Sequence, residues 1–283
     1  MTAPILEAKN LGVEFWVDGQ WVMAAKDVSF SVKPGEVLAI VGESGSGKST
    51  SAMTLLGLLP VNGRSSGSAK LQGEELIGAD KKRLREIRGN KIAVIFQEPM
   101  TALNPVYTIG FQISEALKVH HPKMTKAQAK ERALELLAMV ELPDPEKAFN
   151  SYPHQLSGGQ RQRAMIAQSI SCDPVLLIAD EPTTALDVTV QAEILELMRN
   201  LSKRLQSGII LITHDMGVVA ELSNHMIVMK DGLVVETGTT YDIFTKPQHP
   251  YTIDLLAAVP KLGSAPARIS VPHEASVEPV FET

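Results

Sequence analysis

The sequence predicts an α/β protein with a parallel central sheet, and three features of the chain support that fold class. An apolar run at residues 37–41 leads through a glycine-rich turn into a helix-like run. Strand-like runs at residues 175–179 and 209–213 flank an amphipathic helix, which is the strand–helix–strand order of parallel sheets. Between these two parts, residues 98–170 change to a mainly helical pattern.

The first part of the chain predicts antiparallel strands. Residues 5–36 alternate in polarity, and Asp18-Gly19 and Pro34-Gly35 are typical turn pairs. After the glycine-rich turn we expect a helix over residues 49–59, a flexible linker at residues 61–69, and a buried strand at residues 92–96 that ends at Gln97.

Local signals also place elements in the rest of the chain. Thr125 and Gln128 form a plausible capping box at the start of a helix. Residues 226–235 predict a hairpin around Asp231-Gly232. Beyond Pro260 the chain is rich in proline, alanine and serine and lacks periodicity, which predicts a mobile tail. We therefore expect a domain at residues 1–260, a helical subdomain inserted at about residues 98–170, and a tail at residues 261–283.

Composition excludes several classes of protein. With 283 residues and 44% hydrophobic content, the chain can bury a sizeable core. A formal net charge of -5 argues against nucleic acid as the main partner. The single cysteine, Cys172, allows no disulfide within the chain and indicates a reduced, cytoplasmic setting. No run approaches the roughly 18 to 20 apolar residues of a membrane-spanning helix, so we expect any membrane role to require docking to a spanning partner.

The glycine-rich turn is the segment GESGSGKS at residues 42–49. Its glycines let successive N–H groups face an anion, and the following helix offers its positive N-terminal end. Lys48 can reach the β- and γ-phosphates, and the Ser49 hydroxyl suits Mg²⁺. The alternative is a surface turn with a solvated lysine, which the flanking strand and helix disfavour. The segment predicts a phosphate-binding loop whose nucleotide is ATP.

Two further motifs carry candidate chemistry. The run at residues 175–179 delivers Asp180 and Glu181 to a strand end, where ligands bind in open α/β sheets. Asp180 would hold Mg²⁺ through its water shell, and Glu181 would orient and deprotonate the attacking water. The segment LSGGQ at residues 156–160 offers a second phosphate-facing helix end. The alternatives are that the carboxylates only charge a helix start and that LSGGQ only caps a helix.

These motifs, with Gln97, Ala185-Leu186-Asp187 and ITHD at residues 212–215, occur in the order found in the nucleotide-binding subunits of ABC transporters. The chain resembles that family over roughly residues 5–260. The resemblance implies a P-loop NTPase fold of the ABC type, with an antiparallel β subdomain and a helical subdomain. It also implies a head-to-tail dimer, in which residues 157–160 close over the ATP held by the partner's phosphate loop.

The resemblance further implies roles for individual residues. His214 is similar to the switch histidine that contacts the γ-phosphate, and Gln97 to the lid glutamine that touches Mg²⁺ and the water. Asp187 is similar to the residue that communicates across the dimer. The alternatives are that His214 is a structural histidine, Gln97 an ordinary amide at a strand end and Asp187 a helix cap. Phe15 best matches the aromatic residue that stacks on adenine, with Trp16 as the alternative, and either could instead serve packing.

The expected site has four parts. Glu181, His214 and Gln97 are the expected catalytic residues. The expected ATP-binding residues are Phe15, Gly42, Glu43, Ser44, Gly45, Ser46, Gly47, Lys48, Ser49 and Thr50. The expected contacts to the partner's ATP are Leu156, Ser157, Gly158, Gly159 and Gln160. The expected Mg²⁺ ligands are Ser49, Gln97 and Asp180.

Three stretches resemble the peptide and nickel importer group: residues 96–117, residues 152–163, and PQHPYT at residues 247–252. The resemblance implies two permease partners, a second and related ABC ATPase subunit, an extracytoplasmic binding protein, and a place on the cytoplasmic side of the cell membrane. The usual cargo is dipeptides or oligopeptides, and nickel, glutathione, opines and oligosaccharides are alternatives. Many members carry a cysteine-bearing extension that this chain lacks, so we expect no iron–sulfur cluster.

A soluble ABC ATPase of DNA repair or translation is the alternative of another class. Such proteins generally carry long coiled-coil insertions, zinc cysteines or two nucleotide domains, and the sequence shows none of these. An exporter is disfavoured because exporters commonly fuse this domain to membrane helices. The stretch between Gln97 and Ser157 is where a transporter's coupling helix would dock, which favours transport.

Overall fold

The computed structural model describes residues 3–184 and 186–258. The tail predicted at residues 261–283 and the residue Ala185 lie outside this range. Within the described residues, the strands are β1 (Leu6–Val17), β2 (Gln20–Val32), β3 (Val37–Val41), β4 (Gly63–Leu71), β5 (Glu74–Glu75), β6 (Ile92–Ile95), β7 (Leu176–Asp180), β8 (Gly208–Ile212), β9 (His225–Lys230) and β10 (Leu233–Thr239).

The helices follow the same chain order. They are α1 (Lys48–Thr54), α2 (Lys81–Ile87), α3 (Pro99–Ala102), α4 (Ile109–His120), α5 (Lys126–Met139), α6 (Pro145–Asn150), α7 (Gly158–Ser169), α8 (Val188–Leu205), α9 (Met216–Leu222), α10 (Thr240–Thr245) and α11 (Pro250–Ala257). In the part of the chain that the structure covers, no helix is long and apolar enough to span a bilayer.

The described strands form one sheet in the order β5-β4-β1-β2-β10-β9-β3-β8-β7-β6. Strands β9, β3, β8, β7 and β6 run parallel to one another, and β2, β1, β4 and β5 form an antiparallel part. Strand β10 joins the two parts, because it pairs antiparallel with β9 and parallel with β2. All residues of β3 and β8 are buried, because a parallel sheet is covered by helices on both faces. The predicted α/β fold with an antiparallel strand region is confirmed.

Two of the three predicted hairpins are present. The hairpin predicted at Pro34-Gly35 is wrong, because this turn joins β2 to β3 and these strands are separated in the sheet by β10 and β9. Asp18 and Gly19 join β1 to β2 with φ angles of 48° and 83°, and Asp231 and Gly232 join β9 to β10 with 49° and 79°. Two consecutive positive φ angles match the twist of antiparallel strands, which explains the Asp-Gly pairs. Turn chemistry alone therefore located these two connections.

The expected linker at residues 61–69 is wrong. Residues from Gly63 onward form β4, which pairs antiparallel with β1 from Phe15↔Gly63 to Leu6↔Leu71. The sequence of this strand resembles that of a linker, because Ser65, Ser66 and Ser68 do not give the alternation of apolar and polar residues that is typical of a strand. Its stability comes from backbone pairing with β1, a strand about 50 residues earlier in the chain, and the side chain of Arg64 adds a hydrogen bond from its Nε to Glu14 Oε2 at 2.8 Å.

The helix after the phosphate loop is shorter than predicted. It ends at Thr54 instead of residue 59, because Leu55 and Gly57 bond to the carbonyls of Ala52 and Thr54 in tight i→i−3 turns. Gly57 then takes a φ of 59°, which stops the helix. Strand β6 likewise ends at Ile95, one residue earlier than expected.

The helix-rich region runs from α3 to α7 and lies between β6 and β7. The predicted capping box at α5 is confirmed: Thr125 N donates to Gln128 Oε1 at 2.9 Å, and Gln128 N donates to Thr125 Oγ1 at 3.2 Å. A buried cluster from α4, α5, α7 and α8 packs these helices against β6, β7 and β8. The helical region is thereby attached to the strands that carry the candidate site.

Candidate active site

The candidate residues meet where three parallel strands end. Ile40 of β3 pairs with Ile212 of β8, which pairs with Asp180 of β7. The segments that follow these strands therefore face one another at the carboxyl edge of the sheet. They line a cleft of about 640 Å³ with Ala24, Glu43, Ser44, Gly45, Gly47, Lys48, Ser49, Thr50, Gln97, Asp180, Glu181 and His214.

Two glycines of the phosphate loop are required by close contacts. A Cβ at Gly42 would lie 2.1 Å from the Met229 carbonyl oxygen, and a Cβ at Gly47 would lie 2.3 Å from the Ala24 carbonyl oxygen. Their φ angles of 149° and 92° also disfavour other residues. The loop therefore rests directly on the backbones of β2 and β9.

Lys48 is buried under this loop. Its Nζ donates to the carbonyl oxygens of Gly42 at 2.8 Å and Glu43 at 2.7 Å, and lies 3.5 Å from Ser46 Oγ. Burial lowers the pKa of Lys48, although the carboxylates of Glu181 and Asp180 act in the opposite direction. The three donors of the ammonium therefore have three acceptors within the loop, and the contact with Ser46 Oγ is the longest of them.

Ser49 and Asp180 come together as the sequence predicts. Ser49 Oγ donates to Asp180 Oδ1 at 3.0 Å. Burial raises the pKa of Asp180, and the hydrogen bond from Ser49 and the charge of Lys48 partly offset that effect. Among the residues described, no group of three or more histidine, cysteine or acidic side chains could hold a metal ion.

Glu181 is held at both carboxylate oxygens. His214 Nδ1 lies 2.8 Å from Oε1, and Thr184 Oγ1 donates to Oε2 at 2.8 Å. Glu181 has a φ of 47°, an uncommon conformation for a residue other than glycine and one that clusters at functional sites. Sequence reasoning missed Thr184, whose only signal was a hydroxyl three residues after the carboxylate. Gln97 lies two residues after β6 and also lines the cleft.

Residues 156–160 do not line this cleft. Ser157 and Gly158 are exposed, whereas Leu156 is buried in the core of the helical region, so a direct contact of its side chain with a partner's ATP is not supported. Ser157 caps α7: Gln160 N donates to Ser157 Oγ at 3.3 Å, and Ser157 N donates to Gln160 Oε1 at 3.0 Å. Gly158 is exposed, and a Cβ there would meet no atom within 4 Å. Within this chain, the segment is a well-formed helix cap that faces outward.

A buried amide connects α7 to the turn after Glu181. Gln162 is 1% exposed, and its Nε2 donates to the Pro182 carbonyl oxygen at 2.5 Å. The sequence analysis did not single out Gln162, and its only signal is a polar side chain on the buried face of a helix. This contact fixes the outward-facing cap relative to the Glu181 turn.

Two predicted residues serve local structure here. Asp187 caps α8, because Val190 N donates to its Oδ1 at 3.0 Å. Phe15 is half-buried, is absent from the cleft lining, and packs so closely on Gly63 that a Cβ there would lie 2.9 Å from Phe15 Cε1. Trp16 is exposed and packs edge-on against Trp21, with ring centroids 5.3 Å apart.

Comparison with known proteins bears on the class of this cleft. Residues 25–184 match the family described as ABC transporter, and residues 235–277 match the oligopeptide/dipeptide transporter C-terminal region. Among solved structures, the dimeric ATP-binding cassette MJ0796 bound to ADP and Pi has a TM-score of 0.73 and 31% identity, covering 83% of this chain and 98% of that chain. The protein cbiO1 of Clostridium perfringens has the same TM-score of 0.73 at 29% identity, covering 86% and 91%.

Three curated relatives illustrate the similarity in sequence. A Brucella abortus protein provisionally named a peptide import ATP-binding protein is 53% identical over 92% of this chain and 79% of its own length. The dipeptide transport ATP-binding protein DppD of Haemophilus influenzae is 50% identical over 94% and 80%. The oligopeptide transport ATP-binding protein OppD of Mycobacterium bovis is 48% identical over 95% of this chain but only 44% of its own length.

The fold and the cleft together define a nucleotide-binding ATPase cassette, in which a phosphate loop, two acidic residues and a histidine meet at one sheet edge. The family match covers more than half of the 283 residues, and the chain therefore belongs to the ABC transporter family. It is an ATPase of the ABC type and binds ATP, which confirms the nucleotide predicted from the sequence.

Proposed function

We propose that this chain hydrolyses ATP to power the import of peptides through a membrane permease complex. The observation that carries the hydrolytic part is the Glu181–His214 pair, at 2.8 Å, in the same cleft as Lys48. The observation that favours peptides is the match of residues 235–277 to the oligopeptide/dipeptide transporter region. The related chains named for peptide, dipeptide and oligopeptide transport support it.

The phosphate loop and the β7 end supply the binding chemistry in this proposal. The loop residues 42–50 and the Lys48 ammonium bind the phosphates. Ser49, Asp180 and Gln97 would hold Mg²⁺. The hydroxyl and carboxylate already lie 3.0 Å apart, and Mg²⁺ commonly takes one or two carboxylates plus substrate phosphates, so an incomplete protein ligand set fits this ion.

Glu181 is the general base of the proposed reaction. Its carboxylate has about four acceptor positions, and His214 and Thr184 occupy only part of them. The remaining lone pairs can accept a hydrogen bond from a water aligned with the γ-phosphate. The carboxylate takes a proton from this water as its oxygen bonds to the γ-phosphorus, while the bond from that phosphorus to the β–γ bridging oxygen breaks and ADP leaves. His214 keeps the carboxylate in place and lines the same cleft.

A second ATPase subunit completes each site. Ser157 and Gly158 form an exposed helix N-terminus outside their own chain's cleft, which suits contact with ATP held by a partner. One solved neighbour is described as a dimeric cassette bound to ADP and Pi, which supports a head-to-tail pair. We infer that the partner is a related chain and that Asp187 communicates across the pair. Phe15 is proposed to stack on adenine.

The proposed complex also contains two permeases and an extracytoplasmic binding protein, with this chain on the cytoplasmic face of the membrane. Residues 1–260 form the ATPase domain, with the helical subdomain at about residues 98–170, and residues 261–283 form a tail. Glutathione is a second candidate cargo. A glutathione import ATP-binding protein, GsiA of Shigella boydii, is 48% identical over 98% of this chain and 47% of its own length.

A pull-down from native membranes tests this proposal. We expect the tagged chain to co-purify with two polytopic permeases, a second ATPase and a binding protein identified by mass spectrometry. Recovery with ribosomes or repair proteins and without a permease would overturn the transport function.

An uptake assay tests the energetic role. Lys48→Ala should abolish uptake of labelled dipeptide, because the loop loses its phosphate-binding ammonium. The exposed Lys82→Ala variant serves as the matched control and should transport normally. Normal uptake with Lys48→Ala would contradict the role of ATP binding.

A further inference from the structure

The PQHPYT segment at residues 247–252 has a clear structural basis. The Glu236 carboxylate on β10 accepts hydrogen bonds from Gln248 N at 2.8 Å and from His249 N at 3.0 Å. His249 then caps α11, because Tyr251 N donates to its Nδ1 at 3.2 Å, and Pro250 is the first residue of that helix. These contacts fix where α11 begins and which way its first turn faces.

The first turn of α11 reaches the phosphate loop. Glu43 N donates to the Tyr251 hydroxyl at 3.0 Å, across a separation of 208 residues in sequence. Tyr251 is only 7% exposed, and the Lys230 ammonium lies 4.9 Å from the centroid of its ring. The ring is therefore held on one side by a cation and by the surrounding core, so its hydroxyl has little freedom to leave the loop.

Glu43 is the link between Tyr251 and Lys48. Its N–H is bound by the Tyr251 hydroxyl, and its carbonyl oxygen accepts from Lys48 Nζ at 2.7 Å. A residue held at both its N–H and its carbonyl has little backbone freedom. The direction of the Glu43 carbonyl sets one of the two strong contacts that aim the Lys48 ammonium.

We propose that Tyr251 is a positioning residue for the ATP site, whose hydroxyl holds Glu43 so that Lys48 is aimed at the nucleotide phosphates. This role rests on the function proposed above for the cleft. Burial raises the pKa of Tyr251, which keeps the hydroxyl protonated, and its oxygen accepts from the Glu43 N–H. The PQHPYT segment thus acts as a brace from the end of the cassette to its phosphate loop.

Tyr251→Phe in the intact chain tests the proposal. The variant keeps the ring and removes the hydroxyl, leaving the Glu43 N–H without its partner. We expect ATP and ADP to bind about three- to tenfold more weakly, the ratio that corresponds to one lost hydrogen bond. Competition with a fluorescent nucleotide measures the Kd. Amide hydrogen exchange at Glu43 should become faster, and the melting temperature without nucleotide should stay nearly unchanged.

Tyr241→Phe is the matched control, because Tyr241 on the neighbouring helix α10 is 76% exposed. It should bind nucleotide as the wild type does. Glu236→Gln loosens the base of the brace while retaining the tyrosine, and should weaken nucleotide binding in the same direction.

Three results decide the matter. A wild-type Kd and unchanged exchange at Glu43 in Tyr251→Phe would overturn the proposal. A lower melting temperature with an unchanged Kd would also overturn it, because the hydroxyl would then serve stability alone. If the wild-type chain did not bind ATP, both the proposed function of the cleft and this role of Tyr251 would be overturned.

Discussion

Nδ1 of His214 lies 2.8 Å from Oε1 of Glu181, so the residues that follow two neighbouring parallel strands meet directly in the cleft. Thr184 binds the other carboxylate oxygen. The carboxylate is therefore oriented by side chains of its own chain, and little rearrangement is needed for the role of base proposed above. Preorganisation of this kind reduces the free-energy barrier of the reaction.

Glu181→Gln should separate ATP binding from hydrolysis. The amide retains the shape of the side chain but cannot accept a proton, so we expect unchanged ATP affinity and a loss of turnover of about 100-fold or more. Phosphate release by the transporter complex measures the rate, and light scattering with ATP should reveal a persistent closed dimer. Glu131→Gln, on the exposed face of α5, is the control. Normal turnover in Glu181→Gln would exclude the general-base role.

Asp180→Asn should stabilise the nucleotide-free chain and weaken binding of Mg²⁺-ATP. Burial raises the pKa of Asp180 in the folded chain above its ordinary value of 3.8, so the folded chain holds the proton more tightly than the unfolded chain. Folding stability therefore falls as pH rises from that ordinary value through the raised pKa. At neutral pH the buried, ionised carboxylate destabilises the folded chain, and the neutral amide of Asp180→Asn removes this effect.

Urea unfolding at a series of pH values tests whether folding stability falls as the pH rises. The stability advantage of Asp180→Asn over the wild type should be largest at neutral pH and should shrink as pH falls toward the ordinary value. Affinity for ATP with Mg²⁺ should fall by about tenfold or more, because a ligand carboxylate is lost. A stability advantage of Asp180→Asn that grew as the pH fell would contradict the argument.

Gly158→Ala should slow ATP hydrolysis by the complex without lowering the stability or the ATP affinity of the isolated chain. A Cβ at this position meets no atom within 4 Å, and alanine favours a helix over glycine by roughly 1 kcal/mol. The melting temperature and ATP affinity of the isolated chain should therefore be maintained or rise. In the assembled transporter the added methyl group would meet the partner's nucleotide, and we expect hydrolysis to fall by about tenfold or more. A wild-type rate of hydrolysis in Gly158→Ala would show that the partner's nucleotide does not contact Gly158.

Phe15→Ala should weaken adenine binding. Phe15 pairs with Val22 on β2, two residues from Ala24 of the cleft lining. Stacking on a base contributes roughly 1–3 kcal/mol, so we expect ATP affinity to fall by about fivefold or more. Trp16→Ala is the neighbouring control. Because Phe15 also packs on Gly63, its removal will lower the melting temperature. A stability loss with unchanged affinity would leave Phe15 as a packing residue only.

The positions of the motifs could be predicted because their signals are local. The strand, loop and helix around Lys48, the strand end at Asp180 and the Asp-Gly hairpins each depend on residues adjacent in sequence. Parallel pairing then brings the ends of β3, β7 and β8 together, since such ends share one sheet edge. The cleft residues at these ends were therefore accessible to sequence reasoning.

Sequence reasoning failed where backbone pairing or distant contacts decide. Strand β4 has no apolar alternation and forms because β1 offers backbone partners, so residues 61–69 resembled a linker. Gln162 binds the Pro182 carbonyl and Thr184 binds Glu181 through single polar atoms that no periodic pattern marks. The position of Phe15 likewise depends on packing with β4.

By itself, the sequence determined the α/β class, the order of the motifs and most of the residues that line the cleft, because turn residues, strand ends and helix caps are short-range physical constraints. Only the tertiary structure decided that residues 156–160 face away from their own cleft and that Tyr251 braces Glu43. Contacts separated by 208 residues depend on how the whole chain packs, and that packing is a sum over many weak, non-local interactions.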